Sequence, residues 1–248
     1  MILSEMLDFC NEYLDDNSVL VDGDPDDLFS DTSLVRHLNQ AMRILCRRAW
    51  VIREYGTTPA GVITLRTGIS LYSTHESVLK IFDATPSTFS SPLGRTDDIE
   101  LRTDTPHNVF NAFEVGEAAA LAATETGSPR GIATDAGTRM VRVYPTPTST
   151  ENGVQMALKI ARLPITWLTV DDVDAEPETP RDYDMDLCDY AIGKSLVRPN
   201  IDTQFKTDGR ELLAAFDSAV REARRDRQRF EMGSSRWAFS SETAYLDR

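Results

Sequence analysis

The sequence predicts an α+β fold in which a helical bundle is interrupted by a β-rich antiparallel insert. Apolar residues recur at spacings of 3 and 4 toward both ends of the chain, which is typical of amphipathic helices. The middle is rich in Gly, Pro, Ser and Thr and carries short β-favouring runs. We therefore expect a discontinuous bundle of N-terminal helices and two C-terminal helices over 1–56 and 171–231, an insert over 57–170, and an extended tail over 232–248.

The N-terminal part predicts two helices. The first covers about 2–14, where apolar residues follow helical spacing. After an acidic loop, the capping signal Asp31-Thr32-Ser33 precedes a stronger helix over about 33–50. The apolar stripe of this second helix consists of Leu34, Leu38, Ala41 and Leu45, flanked by Val35, Met42 and Cys46.

The middle predicts strands over 62–65, 68–72, 78–82, 139–145 and 154–161. The first two are separated by a turn at Thr67-Gly68. The last two bracket a turn that ends in Asn152-Gly153, and such a turn between alternating apolar residues is a hairpin signal. We therefore expect these two strands to pair with each other, while residues 84–98 and 103–138 give no clear prediction.

The C-terminal part predicts a helix over about 182–198, stopped by Pro199, and a long amphipathic helix over 202–230. An acidic stretch, 171–189, precedes them and holds nine acids against one base. We interpret it as a solvated linker that runs into a helix N-terminus, where acids favour the helix dipole. The spacing Asp182-x-Asp184-x-Asp186 resembles a calcium loop, but the Gly and the terminal Glu of such a loop are missing.

The end of the chain predicts a docking segment. Termini are usually polar and frayed unless something holds them, and exposed apolar groups often mark a contact with another chain. Here aromatic and aliphatic residues follow an Arg-rich helix end. Cations stabilise a helix C-terminus, so a solvated helix end is the alternative to an arginine surface that meets an acidic partner. The candidate docking residues are Arg224, Arg225, Arg227, Arg229, Met232, Trp237, Phe239, Tyr245 and Leu246.

The overall composition excludes several classes of protein. The net charge of −14 disfavours a protein that binds nucleic-acid phosphates over a broad surface. No apolar run is long enough to span a bilayer, and the acidic start does not look like a secretory signal. Cys10, Cys46 and Cys188 are far apart in sequence, so we expect three buried thiols in a reducing compartment and no disulfide framework.

Motifs that carry chemistry are nearly absent, and we expect no catalytic residue, no cofactor and no metal. Gly193-Lys194-Ser195 looks like the end of a phosphate-binding loop, but position 188 is Cys where that loop needs Gly. His37, His75 and His107 show no metal-ligand spacing. Nucleophile elbows, dinucleotide-binding glycine motifs and zinc-protease motifs are missing as well.

The order of the predicted elements resembles the head-to-tail adaptor proteins of tailed bacteriophages, also called head-completion or neck proteins. The resemblance spans nearly the whole chain. It rests on the helix with Leu38-Asn39-Gln40-Ala41, the β-rich insert with Val143-Tyr144-Pro145-Thr146-Pro147 and later Leu163-Pro164, the helix with Asp189-Tyr190-Ala191-Ile192, and the last helix entered through Asp202 and Phe205. Gln40 departs from the Glu that is usual in the family.

The resemblance implies a structural virion protein at the head–tail interface, assembled in the host cytoplasm. Such adaptors form a homo-oligomeric ring, usually a dodecamer, that joins the portal protein to the next tail or neck protein. Double-stranded DNA passes through the lumen during genome ejection without sequence-specific binding. The C-terminal segment would insert into the portal, where aromatic anchors and arginines favour docking.

Two alternatives remain open. A tail-tube or nozzle ring protein of the same virion would bind another ring in place of the portal. A nucleic-acid-binding regulator or an unrecognised enzyme belongs to a different class. A regulator should present a basic recognition helix, and only residues 221–229 qualify, interrupted by Glu222 and Asp226.

Overall fold

The computed structural model describes residues 1–15, 29–86, 102–104, 126–129, 131–135, 139–198, 201 and 203–243. In the last helix, side chains are described as far as Arg227. The chain forms two compact units: Met1–Ile52 together with Pro164–Arg248, and Arg53–Leu163. The first unit is helical and the second is built on strands, so the predicted α+β class is confirmed. The predicted boundaries near residues 57 and 170 stay a prediction about separately folding domains, which limited proteolysis would test.

Four helices form the described part of the first unit. They are α1 (Leu3–Asp15), α2 (Asp31–Ala49), α3 (Asp184–Leu196) and α4 (Thr203–Thr243). Helix α3 packs against all three others. The stripe predicted for α2 is buried throughout, since Leu34, Leu38, Ala41 and Leu45 are each fully inaccessible. Helical periodicity alone therefore located this core.

Two glycines bring α3 and α4 into close contact. A Cβ atom on Gly193 would lie 2.9 Å from the carbonyl oxygen of Gly209, and one on Gly209 would lie 2.8 Å from Cβ of Leu196. Such distances leave no room for a side chain between the two backbones. Gly193 is thus required for packing, and the hydroxyl of Ser195 donates to the carbonyl of Ala191 within α3 at 2.9 Å.

The three cysteines are buried and free, as predicted. The structure adds that Cys10 of α1 and Cys188 of α3 contact each other. This contact and burial raise the pKa of the Cys10 thiol far above its usual value. A thiol that stays protonated is a poor nucleophile and metal ligand, so Cys10 serves as a small core residue, and Cys188 is buried beside it between α1 and α3.

The prediction of an extended tail from residue 232 is wrong for its first part. Helix α4 is 41 residues long and ends at Thr243, which gives it a length of about 60 Å at 1.5 Å per residue. Residues 231–243 contain no proline, and one glycine costs a helix only about 1 kcal/mol relative to alanine. The helix therefore continues beyond residue 230, where the predicted helix ended.

The second unit contains two four-stranded sheets. The first has the order β1 (Arg53–Tyr55), β8 (Gln155–Arg162), β2 (Val62–Thr64), with β4 (Val78–Pro86) also paired to β8. The second has the order β3 (Leu71–Ser73), β7 (Met140–Tyr144), β6 (Gly131–Asp135), β5 (Arg102–Asp104). All pairings are antiparallel except that of β5 with β6, which is parallel.

The predicted hairpin between the last two strands is wrong, because β7 and β8 belong to different sheets. The chain crosses from one sheet to the other through a 3-10 turn, Ser149–Glu151, capped by Thr148. The segment from β2 to β3 makes the same crossing alongside it. Gly68 N–H donates to the Pro147 carbonyl at 2.9 Å, and Gly153 N–H donates to the Leu65 carbonyl at 2.9 Å. Both predicted turns are present, but each connects a strand of one sheet to a strand of the other sheet.

One hydrophobic cluster serves both sheets of this unit. Residues of β8 such as Met156, Leu158 and Ile160 share it with Val141 and Val143 of β7. Between the paired strands β8 and β1, Arg162 Nε donates to Glu54 Oε2 at 2.6 Å, and both side chains are less than a tenth exposed. A buried pair of this kind needs both partners, because either charge alone would be strongly destabilising there.

Candidate docking surface

Helix α4 fixes the orientation of the arginines predicted to dock. Phe216, Val220 and Ala223 are buried at spacings of 4 and 3, so they define the face of α4 that packs on the rest of the first unit. Arg224 and Arg225 follow immediately and are exposed. These two cations are therefore available to a partner, as the predicted role requires.

Arg227 is positioned differently. Its guanidinium donates to the carbonyl oxygen of Val51 at 3.4 Å, and the side chain is half-buried. It also lies near Tyr183, whose pKa is raised by burial and lowered by Arg227. Arg227 thus holds the end of α2 and the start of α3 against α4, a role the sequence did not reveal.

The remaining predicted docking residues lie where side chains are not described. Met232, Trp237 and Phe239 are on the helical backbone of α4. Arg229 is also in this helix, and Tyr245 and Leu246 lie outside the described residues. Their roles stay predictions.

The exposed face of α4 carries both signs of charge. A shallow depression of about 260 Å³ is lined by Ser218, Arg221, Glu222, Arg225 and Asp226. Arg221 also lies 3.9 Å from Asp217, one turn earlier. A phosphate-binding surface needs clustered cations, and the acids here dilute that cluster. The surface suits a protein partner with mixed charge better than a DNA backbone.

Besides the arginines of α4, the structure has a basic group that was not predicted from the sequence, because its members come from distant parts of the chain. Arg198, just after α3, has its guanidinium on the hydroxyl of Ser33 and 3.4 Å from Nε2 of His37. Burial, followed by the nearby Arg198, Arg36 and Lys194, lowers the pKa of His37 to about 4. His37 is therefore neutral at pH 7 and surrounded by cations.

The acidic stretch 171–189, predicted as a solvated linker that runs into a helix N-terminus, covers the end of the loop between β8 and α3 and the first turns of α3. This loop exposes apolar side chains within and just before that stretch: Ile165, Val170 and Val173 are 41%, 38% and 47% accessible. Asp171, Asp172 and Asp174 are exposed among them. The signal available in the sequence was the presence of apolar residues within and just before the acidic stretch 171–189.

Among the described residues a metal-binding cluster is absent, and the candidate phosphate-binding string lies in a helix. No group of three or more His, Cys, Asp or Glu among them is arranged to hold a metal ion. Gly193-Lys194-Ser195 lies within α3 and not on a strand-to-helix loop, so it does not form a phosphate-binding loop. His107 lies outside the described residues. None of the described helices is both long and apolar enough to cross a membrane.

The chain matches the model of a known protein family. The model of the family described as SU10 adaptor protein matches residues 1–238. No curated protein matches the chain. The chain therefore belongs to the SU10 adaptor protein family and is a phage adaptor-type protein, a structural component of the virion. This family is structural and not an enzyme family.

Proposed function

We propose that this phage adaptor forms a ring, of twelve copies as in the adaptors it resembles, that joins the portal vertex of the DNA-filled head to the tail. One end of the ring would bind the portal protein and the other the next tail or neck protein. Double-stranded DNA would pass through the lumen during genome ejection. The ring would assemble on the head in the host cytoplasm.

One observation carries the proposal for the docking end. Helix α4 is packed into its own unit as far as Arg227, and its backbone continues as helix to Thr243. The sequence beyond Arg227 includes Met232, Trp237 and Phe239, and aromatic anchors dominate many interfaces. We infer that residues 228–248 contact the portal, with Arg224 and Arg225 steering the approach toward portal carboxylates.

The net charge supports the proposed passage of DNA. A chain with a charge of −14 in many copies would surround the lumen with a negative potential. This potential would repel the DNA phosphates from the surface of the lumen, so the duplex would move through the ring without binding to it. Filter binding of the isolated protein to duplex DNA at low salt should show no significant affinity. Tight, salt-dependent binding would favour a nucleic-acid-binding regulator.

The direct test is assembly with the purified portal protein, observed by electron microscopy. Wild-type protein should form a ring on the portal, and a variant truncated after Glu231 should keep its circular dichroism melt but fail to dock. The paired variant Trp237→Ala/Phe239→Ala should weaken docking, whereas Ser234→Ala/Ser240→Ala should not. A ring found only beside tail-tube proteins would identify the tail-tube or nozzle alternative, and no association with either partner would refute the proposal.

A further inference from the structure

Strand β3 forms one edge of the second sheet in the β-rich unit. Its hydrogen bonds to β7 involve alternate residues, and one of them runs from the N–H of Val143 to the Ser70 carbonyl at 2.7 Å. Because ladder bonds alternate along an antiparallel strand, the main-chain groups of Leu71 and Ser73 point away from β7. Within the described part of the chain, no hydrogen bond involves the N–H or C=O of these two residues. The outer side of β3 thus offers two donors and two acceptors to another strand.

Apart from its short length, this edge carries none of the usual protection against strand addition. Natural proteins often place proline or charged side chains on an exposed edge. Residues 69–74 contain neither. Instead the side chains of Ile69 and Leu71 are 40% and 39% accessible, while Tyr72 between them is buried in the core. An added strand would therefore gain main-chain hydrogen bonds and apolar contacts at the same place.

The charges next to this edge are mostly positive, unlike those of the chain as a whole. The charged residues within 66–77 and within the paired stretch 139–143 are Arg66, Glu76, Arg139 and Arg142. The Arg66 carbonyl accepts from the N–H of Ile69 at 3.1 Å, and the Arg139 carbonyl accepts from the N–H of Thr74 at 2.9 Å. These two exposed arginines therefore lie at opposite ends of the edge. The strand that fits best has apolar residues in its middle and acids on both sides, since opposite charges on neighbouring strands attract.

The chain itself contains a segment of this composition, between α1 and α2. Residues 18–22 read Ser-Val-Leu-Val-Asp, and valine is among the residues most enriched in strands. Acids stand on both sides of the apolar run, with Asp16 before it and Asp22 after it. Five residues of extended chain span about 17 Å, which is close to the length of the edge. Residues 16–28 lie outside the described residues, so the match rests on their sequence.

We propose that residues 18–22 of one copy add as a strand to the β3 edge of another copy, with main-chain hydrogen bonds to Leu71 and Ser73. The apolar run packs on the exposed apolar side chains of the edge, and the flanking acids lie near Arg66 and Arg139. The donor segment belongs to the helical unit and the acceptor edge to the β-rich unit, so the contact is heterologous. Repeated heterologous contacts close into rings. This inference rests on the proposed ring and identifies a contact that builds it.

A proline at position 73 tests the acceptor edge. The N–H of Ser73 is not used in the pairing with β7, so Ser73→Pro should leave the sheet intact and remove a donor to the added strand. We expect about a tenfold or greater loss of ring at a fixed protein concentration, because a hydrogen bond is lost and the proline ring blocks close approach. Ser73→Ala keeps the N–H and should assemble like wild type. Thermal melts would confirm that both variants fold.

The donor segment is tested by Val19→Gly/Val21→Gly, since glycine disfavours strands and removes the apolar side chains. This variant should lose rings as Ser73→Pro does, whereas Val19→Ile/Val21→Ile should assemble like wild type. A labelled peptide of residues 15–24 should bind the glycine variant in fluorescence anisotropy. Adding Ser73→Pro to that variant should weaken peptide binding by about tenfold or more. A peptide with glycine in place of both valines should not bind.

The decisive measurement is a mixture of Ser73→Pro with Val19→Gly/Val21→Gly, followed by native mass spectrometry under the conditions in which wild type assembles. The first variant has an intact donor segment and a blocked edge, and the second has the reverse. Each variant alone should stay monomeric. The mixture should give 1:1 dimers and no rings, because only one of the two contacts can form between the two variants.

The outcomes separate the two proposals. Wild-type rings together with an unaffected Ser73→Pro variant, or with a peptide that does not bind, would overturn the assigned contact and leave the ring standing. A mixture without dimers would also overturn it, and peptide binding would then place the segment on the edge of its own copy. Wild-type protein that stays monomeric with and without portal would overturn the proposed function itself, and with it the second copy as the occupant of the edge.

Discussion

Breaking the buried ion pair between Arg162 and Glu54 should destabilise the β-rich unit severely. The substitution Arg162→Met keeps most of the volume of the side chain but removes its charge. It leaves Glu54, whose side chain is 5% exposed, without the guanidinium that lies 2.6 Å from its carboxylate. It also removes the donor to the Leu163 carbonyl.

The size of the effect follows from the cost of an uncompensated buried charge. Removing one partner of such a pair typically costs about 3 to 5 kcal/mol. Since domains are stable by only about 5 to 15 kcal/mol, this is a large share of the total. Replacing both residues, as in Glu54→Leu/Arg162→Met, removes the charge together with its partner. The double variant should recover most of this loss and lie within about 1 to 2 kcal/mol of wild type, because Thr58 loses a hydrogen-bond acceptor and the Leu163 carbonyl loses a donor but no unpaired charge stays buried.

Urea unfolding followed by far-UV circular dichroism would measure these differences. The exposed Arg66 of the same unit provides the control, and Arg66→Met should change stability by less than about 0.5 kcal/mol. The three tryptophans, Trp50, Trp167 and Trp237, all lie outside this unit, so their fluorescence follows the helical unit separately. A double variant as unstable as Arg162→Met would refute the reasoning, because lost packing and not buried charge would then explain the effect.

Three further outcomes are expected. Because burial and nearby cations lower the pKa of His37 to about 4, against about 6.5 when unfolded, stability should fall as pH drops from 6.5 toward 4. The loss is about 1 to 2 kcal/mol after allowing for partial exposure, and His37→Gln should abolish this part of the pH dependence in urea titrations. Gly209→Leu should cost about 1 to 3 kcal/mol by forcing α3 from α4, whereas the exposed Ala214→Leu should be nearly neutral in thermal melts. Thr148→Val should cost about 0.5 to 2 kcal/mol by removing the cap of the crossing turn, and an unchanged denaturation midpoint would contradict this.

The sequence by itself determined the α+β class, the four helices and the main strands. The apolar stripe of α2 is an example. A helix that buries one face repeats its apolar residues about every 3.6 positions, and this period is visible in the local sequence. The burial of the cysteines and the lack of a phosphate-binding loop at Gly193 followed from the same local patterns. So did the resemblance to phage adaptors, which the family match confirms at the level of the adaptor family.

Only the tertiary structure decided the strand pairings and side-chain contacts that join distant parts of the chain. The pairing of β7 with β6 and β3, and of β8 with β1, β2 and β4, is set by a core shared between two sheets, and no turn signal encodes it. Arg227 reaches Val51, and Arg198 reaches His37, across more than 150 residues. Sequence patterns report which residues share a face of one element, whereas the contacts between faces arise only when the elements pack.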